Sequence, residues 1–236
     1  MAEEDGLDGK YVFVTENGET KSMSRGYTGK ATATYPNKDS YEGDFLDGIR
    51  EGRGTYLYFA SADRYDGEWK VNRKHGIGKM YYNKKGEYQG YWENGRRHGE
   101  GVFTYPNGDV YSGWWRFGEK EGTGHYTSGS TGMTLFGNWK NGSLKDGKWT
   151  YPNGIHYAGQ FENNKPIGEG TWFFKNGNEL KGVYTQKPKE LGEDEEPPAE
   201  EEEGADAAVP KSKFDIHFQA YTNISHSAHL VNSVEQ

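Results

Sequence analysis

The chain has 236 residues and a net charge of −8, and its 32% hydrophobic content includes 15% aromatic residues, beside 35 glycines. The acidic balance argues against binding of nucleic acid through bulk charge, and the aromatic content argues against a wholly disordered chain. Because the chain contains no cysteine, disulfides and thiolate metal sites are excluded.

Residues 1–24 are interpreted as an N-terminal extension. They begin with the acidic run Met1–Asp5, which no apolar segment follows, and no run of apolar residues in the chain is long enough to span a bilayer. We therefore expect an intracellular protein of the cytoplasm, without a leader or a membrane anchor.

A repeat occupies residues 25–186. The pattern Tyr-x-Gly-x-aromatic or a close variant starts at residues 41, 65, 88, 111, 135, 157 and 180, in steps of 22–24 residues. A Gly-x-Gly pair follows most of these starts, as at Gly76 and Gly78. Self-similarity at this period is typical of proteins that stack one supersecondary unit on the next.

Each repeat is predicted to form a β-hairpin. Apolar residues alternate in both halves of the unit, as at Tyr88 and Trp92 and then at Phe103 and Tyr105, which indicates strands. The Asn-Gly pairs in segments such as Pro152–Gly154 predict primed turns. The glycine between two aromatic residues leaves room for a neighbouring ring to lie over bare backbone.

The unit from Tyr88 to Gly108 resembles the MORN repeat. It carries Tyr-x-Gly-x-Trp, Asn-Gly, His-Gly-x-Gly and Tyr-Pro-Asn-Gly in that order, and the resemblance covers about residues 25–184. It implies an all-β fold, an elongated single-layer antiparallel sheet of stacked β-hairpins, used as a scaffold or attachment surface. The first unit has only its second half, with Ala31 and Ala33 in place of rings, which is typical of a cap.

Large apolar surfaces that a single-layer sheet leaves exposed usually mark binding sites. We therefore predict that one face forms a ring-lined groove for a partner segment; the alternative is that its rings only pack against one another. The candidate groove residues are Tyr65, Trp69, Tyr88, Trp92, Tyr111 and Trp115.

The opposite face is predicted to carry a second docking patch. This face is polar in most units, but it carries rings at Tyr91 and Trp114, with Tyr81 on an intervening strand. Aromatic residues in otherwise polar positions favour a binding role over a structural one.

Residues 187–208 are predicted to form a disordered acidic linker. The run Glu190–Asp206 contains ten acidic residues and cannot bury a core, so we interpret it as a solvated spacer. Residues 209–236 are predicted to form a partner-binding tail. Phe214, Ile216 and Phe218 alternate with polar residues, which favours a strand that adds to an open edge of this sheet or of a partner; the alternative is a disordered end.

Repeats followed by an acidic segment and by Val209-Pro210-Lys211 resemble the MORN-repeat subunits of the radial spoke head. That resemblance implies a structural protein of the cilium or flagellum axoneme, part of the cytoskeleton, which supports cell motility through protein–protein interaction. The implied partners are other radial spoke head proteins, with a second copy of the chain as a further candidate.

An enzymatic role is not expected. The Gly-rich segments lack the pattern of a phosphate-binding loop, and no nucleophile has an evident base and orienting group. We expect no cofactor, no metal and no nucleic acid partner.

The alternative function is membrane attachment through phospholipid, which has been proposed for MORN arrays. Its support is the paired cations Arg73-Lys74 and Arg96-Arg97 on successive loops. Since acidic residues neighbour these cations, we interpret them as solvated edges, and membrane lipid is not the expected partner.

Overall fold

The computed structural model describes residues 10–188, 214–221 and 225–226. Every regular element in that part of the chain is a β-strand, so the all-β prediction is confirmed. The strands in chain order are β1 Val12–Thr15, β2 Thr20–Lys21, β3 Gly29–Thr34, β4 Ser40–Leu46, β5 Ile49–Tyr58, β6 Asp63–Lys70, β7 Arg73–Tyr82, β8 Gly86–Glu93, β9 Arg96–Thr104, β10 Val110–Arg116, β11 Glu119–Thr127, β12 Thr134–Lys140, β13 Ser143–Thr150, β14 His156–Glu162, β15 Lys165–Phe173, β16 Asn178–Pro188, β17 Phe214–Ala220 and β18 Ser225–His226.

The chain divides between Pro106 and Asn107 into two compact units. Unit 1 contains β1–β9 and unit 2 contains β10–β18. Consecutive strands from β3 to β9 in unit 1 pair antiparallel, and so do consecutive strands from β10 to β17 in unit 2. The predicted stacking of hairpins is therefore confirmed within each unit.

A two-residue turn joins the two strands of each repeat. Both turn residues have positive φ, as a type I′ turn requires, and this turn fits the twist of the flanking strands. The turns are Asp47-Gly48, Val71-Asn72, Asn94-Gly95, Phe117-Gly118, Asn141-Gly142 and Asn163-Asn164. Val71 and Phe117 are unusual here, because bulky side chains disfavour this conformation.

The connections between repeats differ from the prediction. At Pro152–Gly154, the N–H of Tyr151 donates to the carbonyl of Ile155, and Gly154 has a φ of 86° while Asn153 stays outside the left-handed region. This is a three-residue loop, in which a type I turn precedes one left-handed residue. The prediction of a primed turn was wrong, because the Asn153 side chain accepts a hydrogen bond from the N–H of Ile155 and holds an Asx turn instead.

The N-terminal extension contributes to the sheet of unit 1. Strand β1 pairs with β3 and places Phe13 opposite Ala33, and β2 pairs with β1. The Phe13 ring is fully buried and lies edge-to-face against Phe45, with ring centroids 5.0 Å apart. Because Ala33 is small, Phe13 occupies the volume that a ring fills elsewhere in the array.

The last repeat is completed from beyond the acidic segment. Strand β16 is followed by no Gly-x-Gly strand of its own, and β17 pairs with it from Gly182–Ala220 to Pro188–Phe214. The strand predicted from the alternation of Phe214 and Phe218 is therefore present and lies at the edge of unit 2. The predicted linker lies outside the described residues, apart from its first two residues, which end β16.

Candidate functional site

A row of glycines runs across each sheet, and aromatic rings lie over it. In unit 1, neighbouring strands place Gly54 opposite Gly67 and Gly67 opposite Gly78. A methyl group on Gly78 would lie 2.3 Å from the hydroxyl of Tyr65, so the ring needs bare backbone there. The same relation joins Tyr88 to Gly101. The predicted packing of rings over glycine is confirmed.

The first glycine of each Gly-x-Gly pair has a different function. Gly76 and Gly99 have φ values of 54° and 62°, and each lies where the strand register shifts in a β-bulge. Bulges redirect side chains. A methyl group on Gly99 would lie 3.3 Å from the Cβ of Tyr91, so this glycine also supports the Tyr91 side chain on the opposite face.

Tryptophan rings fill the spaces between the tyrosines. Trp69 lies edge-to-face between Tyr41 and Tyr65, with centroid distances of 5.2 and 5.3 Å. Its indole N–H donates to the carbonyl of Gly54 over 3.0 Å. Because edge-to-face pairs are favourable, these contacts stabilise the sheet from strand to strand.

Cationic side chains cover the rings on the side that faces away from the sheet. The Arg50 guanidinium lies 4.6 Å from the centroid of the Trp69 ring, and the Lys74 ammonium lies 4.3 Å from that of Trp92. The Lys120 ammonium lies 5.5 Å from the centroid of the Trp139 ring in unit 2. Cations over tryptophan faces are favourable, and their aliphatic stems exclude water from the rings.

The predicted ring-lined groove is therefore not accessible. All six candidate rings are at most 5% exposed, which corrects their interpretation as a partner-binding lining. The cause is the cover of neighbouring rings and cations, which a sequence pattern does not reveal. The buried rings are Tyr65, Trp69, Tyr88, Trp92, Tyr111 and Trp115.

Burial also keeps the tyrosine hydroxyls in their neutral form. Desolvation raises the pKa of Tyr65, Tyr88 and Tyr111 well above the usual value, and that of Tyr157 to about 12. The Tyr65 hydroxyl donates to the carbonyl of Glu68 over 3.0 Å, and Tyr88 and Tyr111 make the equivalent bond. The hydroxyls of Tyr65, Tyr88 and Tyr111 therefore act as structural hydrogen-bond donors.

The opposite face of unit 1 carries exposed apolar side chains. Tyr91 is 50% exposed and lies directly across from Ile77, which is 53% exposed, on the neighbouring strand. Tyr81 is 38% exposed on the same strand as Ile77, and Val102 is 39% exposed on β9. We call Ile77, Tyr81, Tyr91 and Val102 the outer patch.

A groove of about 890 Å³ on this face of unit 1 includes Ile77 of the outer patch. Its polar lining carries both signs of charge. Ion pairs on this face join Lys30 to Asp44 over 3.0 Å and Lys79 to Glu87 over 3.0 Å. Further polar side chains that line the groove are Glu42, Arg53, Thr55, Asp66 and Gln89.

In unit 2, the face that corresponds to it in the repeat pattern carries Trp114 and Phe136, which are 50% and 48% exposed. The Phe136 ring lies edge-to-face with His125 at a centroid distance of 6.0 Å. Trp114 lies over Gly122, whose φ of 65° again marks the bulge. Because Tyr91 and Trp114 belong to different units, each is a candidate within its own unit.

The tail candidates lie on β17 and are half-buried. The Phe218 ring contacts Tyr184 at a centroid distance of 4.8 Å and lies over Gly182. Phe214 and Ile216 lie on the same face of β17, while Asp215 and His217 are exposed on the other. Strand β17 thus continues the packing of rings over glycine that the repeats use.

Five stretches of the chain match the MORN repeat family, namely residues 41–59, 65–86, 88–110, 111–133 and 157–179. The chain carries five MORN repeats. The hairpin of β12 and β13 lies outside the matched residues and continues the same spacing, as does the part of β16 beyond residue 179.

MORN repeat-containing protein 3 of Xenopus laevis is 38% identical to this chain over 42 residues, which cover 18% of this chain and 18% of that protein. Among solved structures, this chain is similar to the SAS-4 (dCPAP) TCP domain, in complex with a proline-rich motif of Ana2 (dSTIL), of Drosophila melanogaster. That similarity has a TM-score of 0.44 and 17% identity, and it covers 77% of this chain and 94% of that one.

The MORN pattern explains which surface residues sequence analysis missed. Ile77 is the middle residue of a Gly-x-Gly pair, where other repeats carry Arg53, Glu100 and Thr123. An apolar residue in a position that is otherwise polar was the available signal. Phe136 in unit 2 gives the same kind of signal.

Within the described ranges, no group of three His, Asp or Glu side chains is placed to hold a metal ion. These ranges also contain no helix long and apolar enough to cross a membrane. Candidate binding surfaces among the described residues include the outer patch, the groove beside it, the Trp114 and Phe136 side chains, and the edge strand β17.

Proposed function

We propose that this MORN-repeat protein is a non-enzymatic scaffold of the axonemal radial spoke head that binds other spoke proteins and supports ciliary or flagellar motility. One structural observation carries the binding role: the outer patch and the groove beside it lie on the face that the rings and cations leave free. The spoke-head assignment is supported by the order of repeats, acidic segment and Val209-Pro210-Lys211.

In unit 1, one face of the sheet is packed for stability and the other face is free to bind a partner. The ring face is covered by the protein itself, so partner binding there would require displacement of Arg50 and Lys74 from their rings. The outer face needs no such displacement. Exposed apolar side chains beside paired charges are typical of protein-binding surfaces, which combine an apolar centre with a polar rim.

The geometry weakens the alternative of membrane attachment. Of the paired loop cations, Arg73 and Arg96 are exposed, but Lys74 and Arg97 lie against rings, and Arg97 is only 6% exposed. Half of the positive charge assigned to lipid binding is therefore turned towards the protein's own sheet.

Tagged protein purified from motile cilia tests the proposal. We expect radial spoke head proteins to co-elute, and the double variant Ile77→Ser/Tyr91→Ser to reduce their recovery at least about tenfold, as loss of an interface centre does. Leu46→Ser is the matched control, because Leu46 is 55% exposed but lies outside the outer patch. Both variants should keep the parent melting curve.

Two outcomes contradict the proposal. Spoke proteins absent from the eluate would remove the assignment to the spoke head. Salt-sensitive sedimentation of the purified chain with anionic vesicles would favour the membrane alternative instead, since charge-driven lipid binding weakens as salt rises.

A further inference from the structure

Strand β17 presents a sheet edge that other described strands leave uncovered. Within residues 10–188, 214–221 and 225–226, β17 pairs with β16 on one side, and β18 pairs with β16 beyond the end of β17. An uncovered edge of this length is a template for another strand.

The register shows which backbone groups point outward. The N–H of Tyr221 donates to the carbonyl of Lys181, so this pair is hydrogen-bonded. Hydrogen-bonded and non-hydrogen-bonded pairs alternate along antiparallel strands, so His217 also faces β16 with its backbone groups. The N–H and C=O of Ile216 and Phe218 therefore point to the outer edge.

The side chains of β17 are arranged so that the strand matches itself in the reverse direction. The segment reads Phe214-Asp215-Ile216-His217-Phe218. In an antiparallel pair centred on Ile216, each phenylalanine meets a phenylalanine and each Asp215 meets a His217. The apolar residues share one face, and the carboxylate and imidazole lie on the exposed face.

We propose that the outer edge of β17 pairs with the same edge of a second copy of this chain, antiparallel, about a two-fold axis at Ile216. Ile216 and its symmetry mate exchange two N–H···O=C bonds at the axis. Asp215 and His217 then form two equivalent non-hydrogen-bonded pairs, whose Cα atoms lie about 4.5 Å apart in such a geometry. Each carboxylate there accepts a hydrogen bond from the facing imidazole.

A second copy fits this edge better than an unrelated strand, because the side chains of β17 complement those of an identical strand that runs antiparallel to it. A two-fold interface requires that residue i contacts residue j and that j contacts i. Asp215 and His217 meet this condition with complementary groups, whereas two like residues at these positions would face each other as acid against acid or imidazole against imidazole. The inference does not depend on the proposed spoke-head role.

Sedimentation of the purified full chain over a range of concentrations measures the association. We expect a monomer–dimer equilibrium that Ile216→Pro weakens at least about tenfold, because two hydrogen bonds at the axis are lost. The variant should keep β17 in place, since proline is tolerated in an edge strand whose N–H faces solvent. Ile216→Val, which keeps the N–H, is the matched control.

Charge reversal tests the register. Asp215→His places two imidazoles opposite each other, and His217→Asp places two carboxylates opposite each other, so each variant alone should associate more weakly than the parent chain. A mixture of the two variants restores both carboxylate–imidazole pairs. We therefore expect mixed dimers to form with close to the parent affinity.

Because the chain has no cysteine, a single Ile216→Cys substitution gives a specific cross-linking site. A short bis-maleimide should join two such chains across the axis. Ala220→Cys is the control, because the two residues 220 would lie about 27 Å apart along the paired strands. This readout remains valid if Ile216→Pro loosens β17.

Three results would overturn the proposal. One is a chain that stays monomeric at every concentration tested. Another is a dimer that neither Ile216→Pro nor the single charge variants affect. The third is cross-linking through Ala220→Cys as efficient as through Ile216→Cys.

Discussion

At the scale of the residue, each hairpin depends on glycines that serve two purposes. Gly76 adopts a left-handed φ of 54° in the bulge, whereas Gly78 keeps an ordinary backbone conformation and leaves room for the Tyr65 ring. The ring packing followed from the spacing of aromatic residues and glycines. The bulge did not, because a Gly-x-Gly pattern alone does not show which glycine has positive φ.

Replacing Gly78 with alanine should destabilise unit 1 through steric overlap with Tyr65. A Cβ there would lie 2.3 Å from the Tyr65 hydroxyl oxygen and 2.5 and 2.6 Å from two carbons of its ring. Overpacking of this kind costs about 1–3 kcal/mol in the free energy of unfolding. Chemical denaturation measures the loss.

Gly95→Ala is the control for Gly78→Ala, since Gly95 has a φ of 86° and a methyl group added there would have no atom within 4 Å. This variant measures only the cost of placing alanine in the left-handed conformation, which is about 1 kcal/mol in the free energy of unfolding. Gly78 has no positive φ, so Gly78→Ala carries no such backbone cost, and parent-like stability of that variant would show that the Tyr65 ring moves aside without cost.

Asp39 is a buried carboxylate that holds the loop after β5 against the loop before β4. It is 8% exposed, and its Oδ2 accepts hydrogen bonds from the Tyr56 hydroxyl and the Asn37 amide, both over 2.8 Å. Its Oδ1 accepts from the N–H of Phe59 over 2.8 Å. Burial, followed by the Asp39 hydrogen bond, raises the pKa of Tyr56.

Asp39→Asn should therefore destabilise unit 1 by about 1–3 kcal/mol, because an amide nitrogen replaces one of two buried acceptors and leaves donors unpaired. Thermal unfolding followed by circular dichroism measures the change. Asp47→Asn is the matched control, since Asp47 is exposed in a turn that favours either residue. A parent-like melting curve for Asp39→Asn would show that the loops do not depend on this carboxylate.

At the scale of the element, the repeats separate into two kinds of turn. The sequence predicted that turns separate the strands, and it placed the hairpins correctly. It did not predict that Val71 occupies the first position of a type I′ turn, where the equivalent turn in the next repeat has Asn94. Turns are predicted from residues such as Asn, Asp and Gly, so a turn with a β-branched residue at its first position is not recognised in the sequence.

Val71→Asn should stabilise unit 1 by about 1 kcal/mol, because asparagine adopts the left-handed conformation at lower cost than valine. Val71 is 61% exposed, so little packing is lost. The reciprocal variant Asn94→Val should destabilise by a similar amount, which makes the pair an internal control. Denaturant midpoints measure both changes, and a loss of stability in Val71→Asn would assign the valine a packing role.

At the scale of the whole molecule, the sequence predicted the strand that ends the array but not the strand with which it pairs. The alternation around Ile216 predicted a strand but left open whether it joins this sheet, and Phe13 gave no signal because one strand of four residues lacks a repeat context. The six buried rings were assigned to a groove since alternation gives the face of a residue but not what covers that face. Arg50 and Lys74 provide part of that cover, and Lys74 is one of the loop cations that the sequence led us to interpret as solvated.

Deletion of residues 209–236 should loosen the edge of unit 2. In β16, Val183, Thr185 and Lys187 lie in the hydrogen-bonded pairs and would lose their hydrogen bonds to β17. Tyr184 would lose the Phe218 ring that lies 4.8 Å away. Backbone groups that lose a pairing strand exchange their amide hydrogens faster. We therefore expect faster exchange at the amides of Val183, Thr185 and Lys187, and amides of unit 1 serve as the internal reference.

Deletion of Glu190–Asp206 alone is the matched control, and the register explains why it should preserve β17. Pro188 lies directly opposite Phe214, so residue 189 and residues 207–213 suffice to connect them. Slow exchange in β16 should therefore persist in this variant while it is lost in the tail deletion. If both deletions leave the exchange of β16 unchanged, β17 does not cover that edge in solution, and the completion of the last repeat by the tail would have to be abandoned.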